Sequence, residues 1–372
     1  MKSRSSWRSD AGPFDHLVAH GAVAEATSAA AWLQAQLDVE AALAASQAAA
    51  GVIPADAAAA IATVCRIDQL DLDALGEATE RNGVPVIGIV EQLRAALADD
   101  DAQFVHHGST SQDILDTAAM IVATRAGTLT ADRLEEAGAL VDALSAADGT
   151  APMIGRTLGQ FALPTTFANV TGRWRRGLVE STGVLRTVTA ELPVQLGGPV
   201  GDGSSYGPHG AEIAAGVAER LGLTVPDGPW STVRTPIARL AGAWGVVGTV
   251  VGDIATQLVA LMASDVGELA ERADDAGGSS SMTHKHNPIA AISARAAALQ
   301  VPGLVATLLH AAGGHDFERA SGAWHAEWPA LNALLRAGGS AADWLVTSLR
   351  RVQVDTDRMA TTIVVAEQER TG

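Results

Sequence analysis

Apolar residues recur at helical spacing through most of the chain. The first run extends from a cap at Thr27 or Ser28 through Leu33 and Leu43, and it stops before Gly51. A hydroxyl side chain before the run and a glycine after it are typical of helix ends. The pattern therefore predicts a first long helix over this stretch.

Further helices follow on both sides of residue 100. Pro54 and Asp56 open a second helix, residues 82–85 predict a turn, and residues 87–98 predict a third helix. Residues 164–192 and especially 235–272 predict much longer helices. A helix that is apolar around most of its circumference is buried on several sides, as in the core of a bundle or an oligomer. Residues 197–210 and 274–282 predict loops.

Composition supports a helical class. Alanine, the residue with the strongest helix propensity, dominates, and runs of β-branched residues are scarce. The 372 residues exceed the size of a typical single core, so we expect several domains. We predict an all-α chain with an N-terminal helical domain at 1–111 (1–12 as a tail), a central long-helix bundle at 112–350, and a short C-terminal remnant at 351–372.

Charge and cysteine content narrow the class of protein. A net charge of −17 argues against nucleic-acid or anionic-membrane partners, which require a basic face. The N-terminal dozen residues lack an apolar signal segment, and the longest uncharged stretch, 296–314, contains Gln300 and Pro302, so we predict no membrane span. The lone Cys65 cannot form an internal disulfide, which fits a reducing cytoplasm. We interpret Cys65 as a small core residue and not as a nucleophile.

The segment 277–288, GGSSSMTHKHNP, concentrates chemistry. Two glycines allow movement, the serines supply hydroxyls, and Asn287 with Pro288 predicts a helix start. Free N–H groups at such a start favour an anion. The alternative is a flexible surface loop with an ordinary cap.

The distribution of lysine supports the functional interpretation. Of 25 basic residues, all are arginine except Lys2 and Lys285. A compact ammonium group, and not a planar guanidinium, is therefore kept in this loop.

Three other segments place polar residues together. Residues 106–117, HHGSTSQDILDT, predict a polar turn that leads into a helix, and on local features alone an ordinary cap is the better interpretation. Residues 155–164 begin with Gly-Arg-Thr ahead of a long helix. Residues 318–328, ERASGAWHAEW, place Arg319 and His325 among aromatic residues.

These segments resemble the fumarase/aspartase superfamily. Residues 278–288 are similar to its G-S-S-x-M-P-x-K-x-N-P loop, with Thr283 in place of proline. Residues 106–117 resemble the H-x-G-x-T-S-x-D-x-x-D-T motif of its adenylosuccinate lyase and carboxymuconate cycloisomerase branches. The resemblance covers nearly the whole chain and implies the all-α fold of this superfamily.

Two details point to the cycloisomerase branch. Lyases of the superfamily have G-R-T-H near the third segment, whereas this chain has Leu158 at the position of the acid–base histidine. Cycloisomerases also lack that histidine, although they usually have tryptophan there. The W-H-A-E-W of residues 324–328 is close to the cycloisomerase form. Members usually continue into a third helical domain, so the resemblance predicts that this domain is truncated after Met359.

The resemblance implies conversion of 3-carboxy-cis,cis-muconate to a lactone in protocatechuate catabolism, without cofactor or metal. It implies a homotetramer whose active sites are shared between subunits. Ser279 would be the general acid, with Lys285 and His106 as further catalytic residues. The residues expected to bind substrate are Thr110, Ser111, Gln112, Arg156, Gln160, Ser280, Met282, Asn287, Arg319 and His325.

Three alternatives remain open. A fumarate-releasing lyase that acts on a succinyl adduct would use the same loop, but Leu158 argues against its common form. A metal-binding protein is the second alternative, suggested by ten histidines that include the pairs 106–107 and 284/286. The chain has no H-E-x-x-H or comparable ligand spacing, which argues against it. A non-catalytic helical scaffold is the third alternative, and the presence of Ser279, Lys285 and Arg319 argues against it.

Overall fold

The computed structural model describes residues 15–272, 276–278, 281–282 and 285–371. The N-terminal part is a set of mostly short helices. They are α1 (Asp15–Val18), α2 (Ala22–Ala26), α3 (Ala29–Ala49), α4 (Ala55–Val64), α5 (Leu72–Asn82), α6 (Pro85–Ala95) and α7 (Asp99–Ala102).

The predicted first helix is α3. Its cap is Ser28, whose hydroxyl accepts a hydrogen bond from the Ala31 amide at 3.2 Å. The predicted turn at 82–85 is also present, because Gly83 ends α5 in the left-handed region (φ 72°) and Pro85 begins α6. These ends follow from local residue chemistry, which explains why the pattern predicted them.

Long helices form the centre of the molecule. In chain order the remaining helices are α8 (Ser111–Asp148), α9 (Phe167–Ala190), α10 (Gly210–Leu221), α11 (Thr235–Leu261), α12 (Ile289–Ala298), α13 (Val301–Ala312), α14 (Ala323–Arg351) and α15 (Thr356–Thr371). A 3₁₀ turn at Ser204–His209 lies within the predicted loop 197–210. The prediction of an all-α fold is confirmed.

The long helices α8, α9, α11 and α14 pack against one another and against α12 and α13, so these helices form one bundle. Its core contains the fully buried Trp174 and Trp244. Gly338 of α14 packs directly against Trp244, where an added Cβ would lie 2.4 Å from the indole ring. Close helix–helix approach therefore depends on a glycine at this position.

The prediction of a helix from residue 164 is wrong at its start. Residues 152–166 form an antiparallel hairpin of β1 (Pro152–Thr157) and β2 (Gln160–Thr166), and α9 begins only at Phe167. Leu158 and Gly159 both have positive φ, 53° and 81°, which is the backbone of a two-residue hairpin turn. Pro164 lies in β2 opposite Ile154, so it belongs to the strand and not to the helix.

The prediction of one helix over 235–272 is also wrong at its end. The helix α11 stops at Leu261, and Gly267 (φ 64°) turns the chain. The strand β3 (Leu269–Glu271) then pairs antiparallel with β4 (Val352–Val354) after α14. The apolar pattern continued past the true end because Leu269 is buried in a strand as fully as it would be in a helix.

Two helical stretches, Thr235–Leu261 and Ile289–Ala312, are long and apolar enough to cross a membrane. The core helices of soluble bundles share this property, and 44% and 39% of the two windows are buried inside this chain. The absence of a membrane span and the division into domains at 111 and 350 stay predictions.

Candidate active site

The predicted site residues lie at opposite ends of the bundle. The 38 residues of α8 span about 57 Å at 1.5 Å per residue. The residues near its start, which we call the amino-end group, are His106, Thr110, Ser111, Gln112, Arg319 and His325. The described residues near its far end, which we call the carboxyl-end group, are Arg156, Gln160, Met282, Lys285 and Asn287.

His106 is the most constrained member of the amino-end group. It has φ 62°, which is uncommon for a residue with a side chain, and its Nδ1 lies 2.6 Å from Oε1 of the buried Glu40. Burial by itself would lower the pKa of His106. The charge of Glu40 and its hydrogen bond outweigh burial, so the pKa of His106 is raised. Sequence reasoning missed Glu40 because its partner is 66 residues away.

The start of α8 is built on a capping box between Thr110 and Asp113. The carboxylate of Asp113 also accepts hydrogen bonds from the Gly197 and Gly198 amides at 2.7 and 2.9 Å and from the Tyr206 hydroxyl at 2.9 Å. Burial raises the pKa of Asp113, although these hydrogen bonds oppose the shift. One residue therefore both caps α8 and holds the glycine-rich loop against it.

The three predicted binding residues at this helix start differ in accessibility. Thr110 and Ser111 are partly exposed. Gln112 is buried, and its Nε2 donates to the Ser231 carbonyl at 2.7 Å. The structure therefore leaves Thr110 and Ser111 accessible to a ligand, whereas Gln112 joins two parts of the protein.

Arg319 joins the same group from the loop before α14. Its guanidinium donates to the carbonyl oxygens of Gly198 at 2.8 Å, Pro199 at 2.6 Å and Glu318 at 2.8 Å. Within the described ranges no carboxylate pairs with Arg319, so its charge stays available to an anion. His325 is exposed, and its ring centroid lies 4.6 Å from that of Trp328.

A buried ionic network lies behind the amino-end group. Arg234 donates to Asp116 at 2.5 and 3.0 Å and to Glu327 at 3.1 and 2.5 Å. The indole of Trp324 donates to Asp116 at 2.9 Å. Asp116 and Glu327 lie inside the segments 106–117 and 318–328. An acidic residue among apolar positions of a predicted helix is the signal that could have indicated a buried ion pair. Arg234 itself carried no such signal.

The carboxyl-end group is organised differently. Arg156 makes a two-pronged ion pair with Glu268 at 2.8 and 3.0 Å, and the Glu268 side chain is fully buried. This pair neutralises the Arg156 cation that was expected to support substrate binding. Gln160 is exposed near the hairpin tip, beside Leu158, which is also fully exposed.

The base of the 277–288 loop is closed by Asn287. Its backbone amide and its side-chain Nδ2 both donate to the Gly277 carbonyl, at 2.8 and 3.1 Å. Gly277 has φ 80°, and a Cβ there would lie 2.4 Å from the Asn287 carbonyl oxygen, so the position requires glycine. Met282 and Lys285 are exposed. The predicted general acid Ser279 and the predicted ligand Ser280 lie outside the described residues.

The expected anion site at the start of α12 is occupied by the protein itself. Pro288 takes the cap position and the helix begins at Ile289, so Asn287 is not the cap. The Ala290 and Ala291 amides donate to the Glu271 carboxylate at 2.9 and 3.0 Å. These N–H groups therefore hold a carboxylate of the chain and are not free for substrate.

The remaining expectations concern Cys65 and metals. Cys65 is buried, and burial raises its pKa to about 12, so the thiol stays protonated and fits a core role. In the described part of the chain, no cluster of three or more histidine, cysteine or acidic side chains could hold a metal ion.

The chain is similar in sequence to a family of lyases and to enzymes within it. A family model described as "Lyase" matches residues 15–303. The chain is 41% identical to a nitrosuccinate lyase of Streptomyces davaonensis over 362 residues, which cover 94% of this chain and 76% of that protein. It is 39% identical to a 3-carboxy-cis,cis-muconate cycloisomerase of Bradyrhizobium diazoefficiens over 333 residues, 88% of this chain and 73% of that protein.

A solved structure gives the same result at the level of the fold. The 3-carboxy-cis,cis-muconate lactonizing enzyme from Pseudomonas putida superimposes with a TM-score of 0.88 at 30% identity. The match covers 94% of this chain and 79% of that one. The relatives thus include both a lyase and cycloisomerases, which use different substrates.

Proposed function

This chain belongs to the fumarase/aspartase superfamily of lyases, and we propose that it makes or breaks a bond to the carbon β to a carboxylate in a small polycarboxylate. The leaving or attacking group in this reaction is a weak base. A residue of the enzyme delivers a proton to the adjacent α-carbon when the bond is made, or removes one when the bond is broken.

The observation that carries this proposal is Leu158. It stands at the hairpin tip, at the position where lyases of the superfamily with the G-R-T-H motif have a histidine, and its side chain is fully exposed. Leucine cannot donate a proton to a departing amine. A group that leaves as a stable anion, such as a carboxylate or nitrite, needs no such donor. The position therefore favours these two groups over amine adducts.

Within this reaction we assign Ser279 as the residue that delivers or removes the α-proton. Negative charge then develops on an enolate-like carboxylate, and preorganised cations aimed at it supply the largest catalytic contribution. Lys285 is exposed, and Arg319 has no carboxylate partner among the described residues, so both cations are suited to that role. Thr110 and Ser111 would add hydroxyl donors. Gly277 and Gly278 allow the loop to close over the substrate.

Two substrates fit. The first is 3-carboxy-cis,cis-muconate, in which a carboxylate oxygen adds across a conjugated double bond to give a lactone; the W-H-A-E-W motif and the 39% identical cycloisomerase support it. Ring closure is intramolecular, so positioning removes much of the entropic cost. The second is nitrosuccinate, which would release nitrite and fumarate; the 41% identical lyase supports it.

We further propose that the working form is a homo-oligomer, most simply a cytoplasmic homotetramer. The two groups of site residues are separated by about the 57 Å length of α8, far more than a small substrate spans. A complete site therefore requires the amino end of one chain beside the carboxyl end of another. Exposed apolar residues on the bundle, such as Val246, Ile292 and Leu299, supply surface for that contact.

A substrate panel tests the function. Wild type, Ser279→Ala and the control Ser145→Ala are each assayed for loss of diene absorbance with 3-carboxy-cis,cis-muconate, for nitrite and fumarate release from nitrosuccinate, and for fumarate release from a succinyl amine adduct. We expect turnover of one of the first two, a loss of about 10²–10⁴-fold in Ser279→Ala, and no loss in Ser145→Ala. Turnover of only the amine adduct would refute the argument from Leu158.

A further inference from the structure

A buried acid–histidine pair stands at the start of the amino-end group. Glu40 of α3 is about 1% exposed, and its Oε1 lies 2.6 Å from Nδ1 of His106. A buried carboxylate is costly unless it is paired and hydrogen-bonded. His106 is the cation that can pair with it, so the two residues stabilise each other's charged forms.

The turn that carries His106 is held rigidly from three sides. Arg94 of α6 donates to the Val105 carbonyl at 3.0 Å, and Gln47 of α3 donates to the His107 carbonyl at 2.7 Å. Together with the contact from Glu40, these bonds hold His106 in its uncommon backbone conformation (φ 62°). Strained backbone that is held by its surroundings in this way is concentrated at functional sites.

The charges that act on His106 come from three elements. Glu40 on α3 and Asp113 on α8 favour the imidazolium, whereas Arg94 on α6 disfavours it. Tyr206, from the 3₁₀ turn, is neutral because burial raises its pKa. The two carboxylates outweigh the single arginine, so the electrostatic surroundings favour a protonated ring.

The second ring nitrogen is the one left for a ligand. Nδ1 is committed to Glu40, the side chain is 15% exposed, and among the described residues no hydrogen-bond partner of Nε2 is found. Thr110 and Ser111, the accessible hydroxyls of the same group, follow four and five residues later. A protonated Nε2–H and two hydroxyls carried by the same turn are donors suited to a carboxylate.

We propose that Glu40 is a positioning residue that keeps His106 as an imidazolium with its Nε2–H directed at one carboxylate of the substrate. This inference rests on the proposed polycarboxylate chemistry and adds to it a second residue and a charge state. His106 thereby acts as a fixed cationic contact, and the proton transfer to carbon remains with Ser279.

The first test is the titration of His106 in the protein without substrate. Histidine labelled with ¹³C at Cε1 is followed by NMR across the pH range, and the His106 signal is identified by its loss in His106→Asn. Glu40→Gln keeps an oxygen that can accept from Nδ1 and removes only the charge. We expect the His106 titration to move to lower pH in Glu40→Gln and to stay unchanged in a control, Glu77→Gln on α5.

The second test measures what the charge does. Because the imidazolium is lost as the pH rises through the pKa of His106, KM should rise on the alkaline side while kcat changes little. In Glu40→Gln this rise should begin at lower pH and reach about tenfold at neutral pH, the usual effect of losing one charge-assisted hydrogen bond. His107→Asn, which removes only the neighbouring ring, should behave as wild type.

The two readouts separate the failure of this proposal from the failure of the proposed function. If neither candidate substrate is turned over, the dissociation constant of tricarballylate, a non-reactive tricarboxylate, replaces KM. An unchanged His106 titration in a folded Glu40→Gln refutes the role of Glu40. A shifted titration with an unchanged pH dependence of KM, or with no tricarballylate binding by wild type, refutes the contact with substrate.

Discussion

Lys285 illustrates how much can depend on the choice between two cations. It lies exposed after Met282, and the base of its loop is closed by the hydrogen bonds from Asn287 to Gly277. A chain that otherwise uses arginine, except for Lys2, places an ammonium group here. An ammonium group is a compact charge with rotatable donors, whereas a guanidinium binds best in one plane. Charge that develops on an enolate-like carboxylate during the reaction favours the former.

We therefore expect Lys285→Met to lower kcat/KM by about 10²–10³-fold. Lys285→Arg should restore only part of the loss because its fork cannot take the same position. Steady-state kinetics with the better substrate of the panel measures both, and Lys2→Met is the matched control. A Lys285→Met enzyme with wild-type kcat/KM would remove Lys285 from the mechanism.

At the scale of elements, Arg234 connects three long helices. It precedes α11 and pairs with Asp116 of α8 and Glu327 of α14, all of them nearly inaccessible to solvent. Removing one partner of a buried ion pair leaves an uncompensated charge. Here the loss of Arg234 would leave two buried carboxylates without their cation. The network therefore holds together the ends of the helices from which the amino-end group extends.

Arg234→Met should reduce the free energy of unfolding by about 3–5 kcal/mol. Arg239→Met on the same helix is the control, because its ion pair with Glu191 is exposed and should contribute under about 1 kcal/mol. Urea unfolding followed by circular dichroism measures both variants. Equal losses in the two would show that the buried network is no more important to stability than a surface pair.

At the scale of the whole molecule, the proposed site residues of one chain fall into two separate groups. His106 and Arg319 lie at one end of the bundle and Lys285 at the other, so each active site should combine residues of different chains. The exposed apolar surface of α11 and α13 is consistent with such an assembly. Closed homo-oligomers provide such contacts repeatedly through symmetry.

Mixed oligomers test this arrangement directly. Arg319→Met removes a catalytic cation of the amino-end group and Ser279→Ala removes the proton-transfer residue, so each should lose most activity alone. The two are co-expressed with different tags and purified through both tags. We expect activity to return to about a quarter of the wild-type rate, since random mixing leaves that share of sites unsubstituted. A mixture as inactive as its parents would show that each site is completed within one chain. Separately purified variants mixed without subunit exchange are the control.

Local chemistry explains what could be predicted. The start of α3 at Ser28, the end of α5 at Gly83 and the capping box of Thr110 and Asp113 each depend on residues within a few positions of one another. The predicted helix end at 272 failed because hydrophobic periodicity does not distinguish a short strand with a buried residue such as Leu269 from a buried helical turn. The predicted helix start at 164 failed because residues 160–166 pair with residues 152–157 in a hairpin, which the helical pattern does not record.

The sequence by itself determined the helical class, the superfamily and the residue types of the candidate site, because these follow from short-range periodicity and motifs. Only the tertiary structure decided the partners of the charged groups: Glu40 for His106, Glu268 for Arg156, and Glu271 for the start of α12. These pairs join residues that are 66, 112 and 19 positions apart. Contacts at such separations depend on how the helices pack, and no local pattern records them.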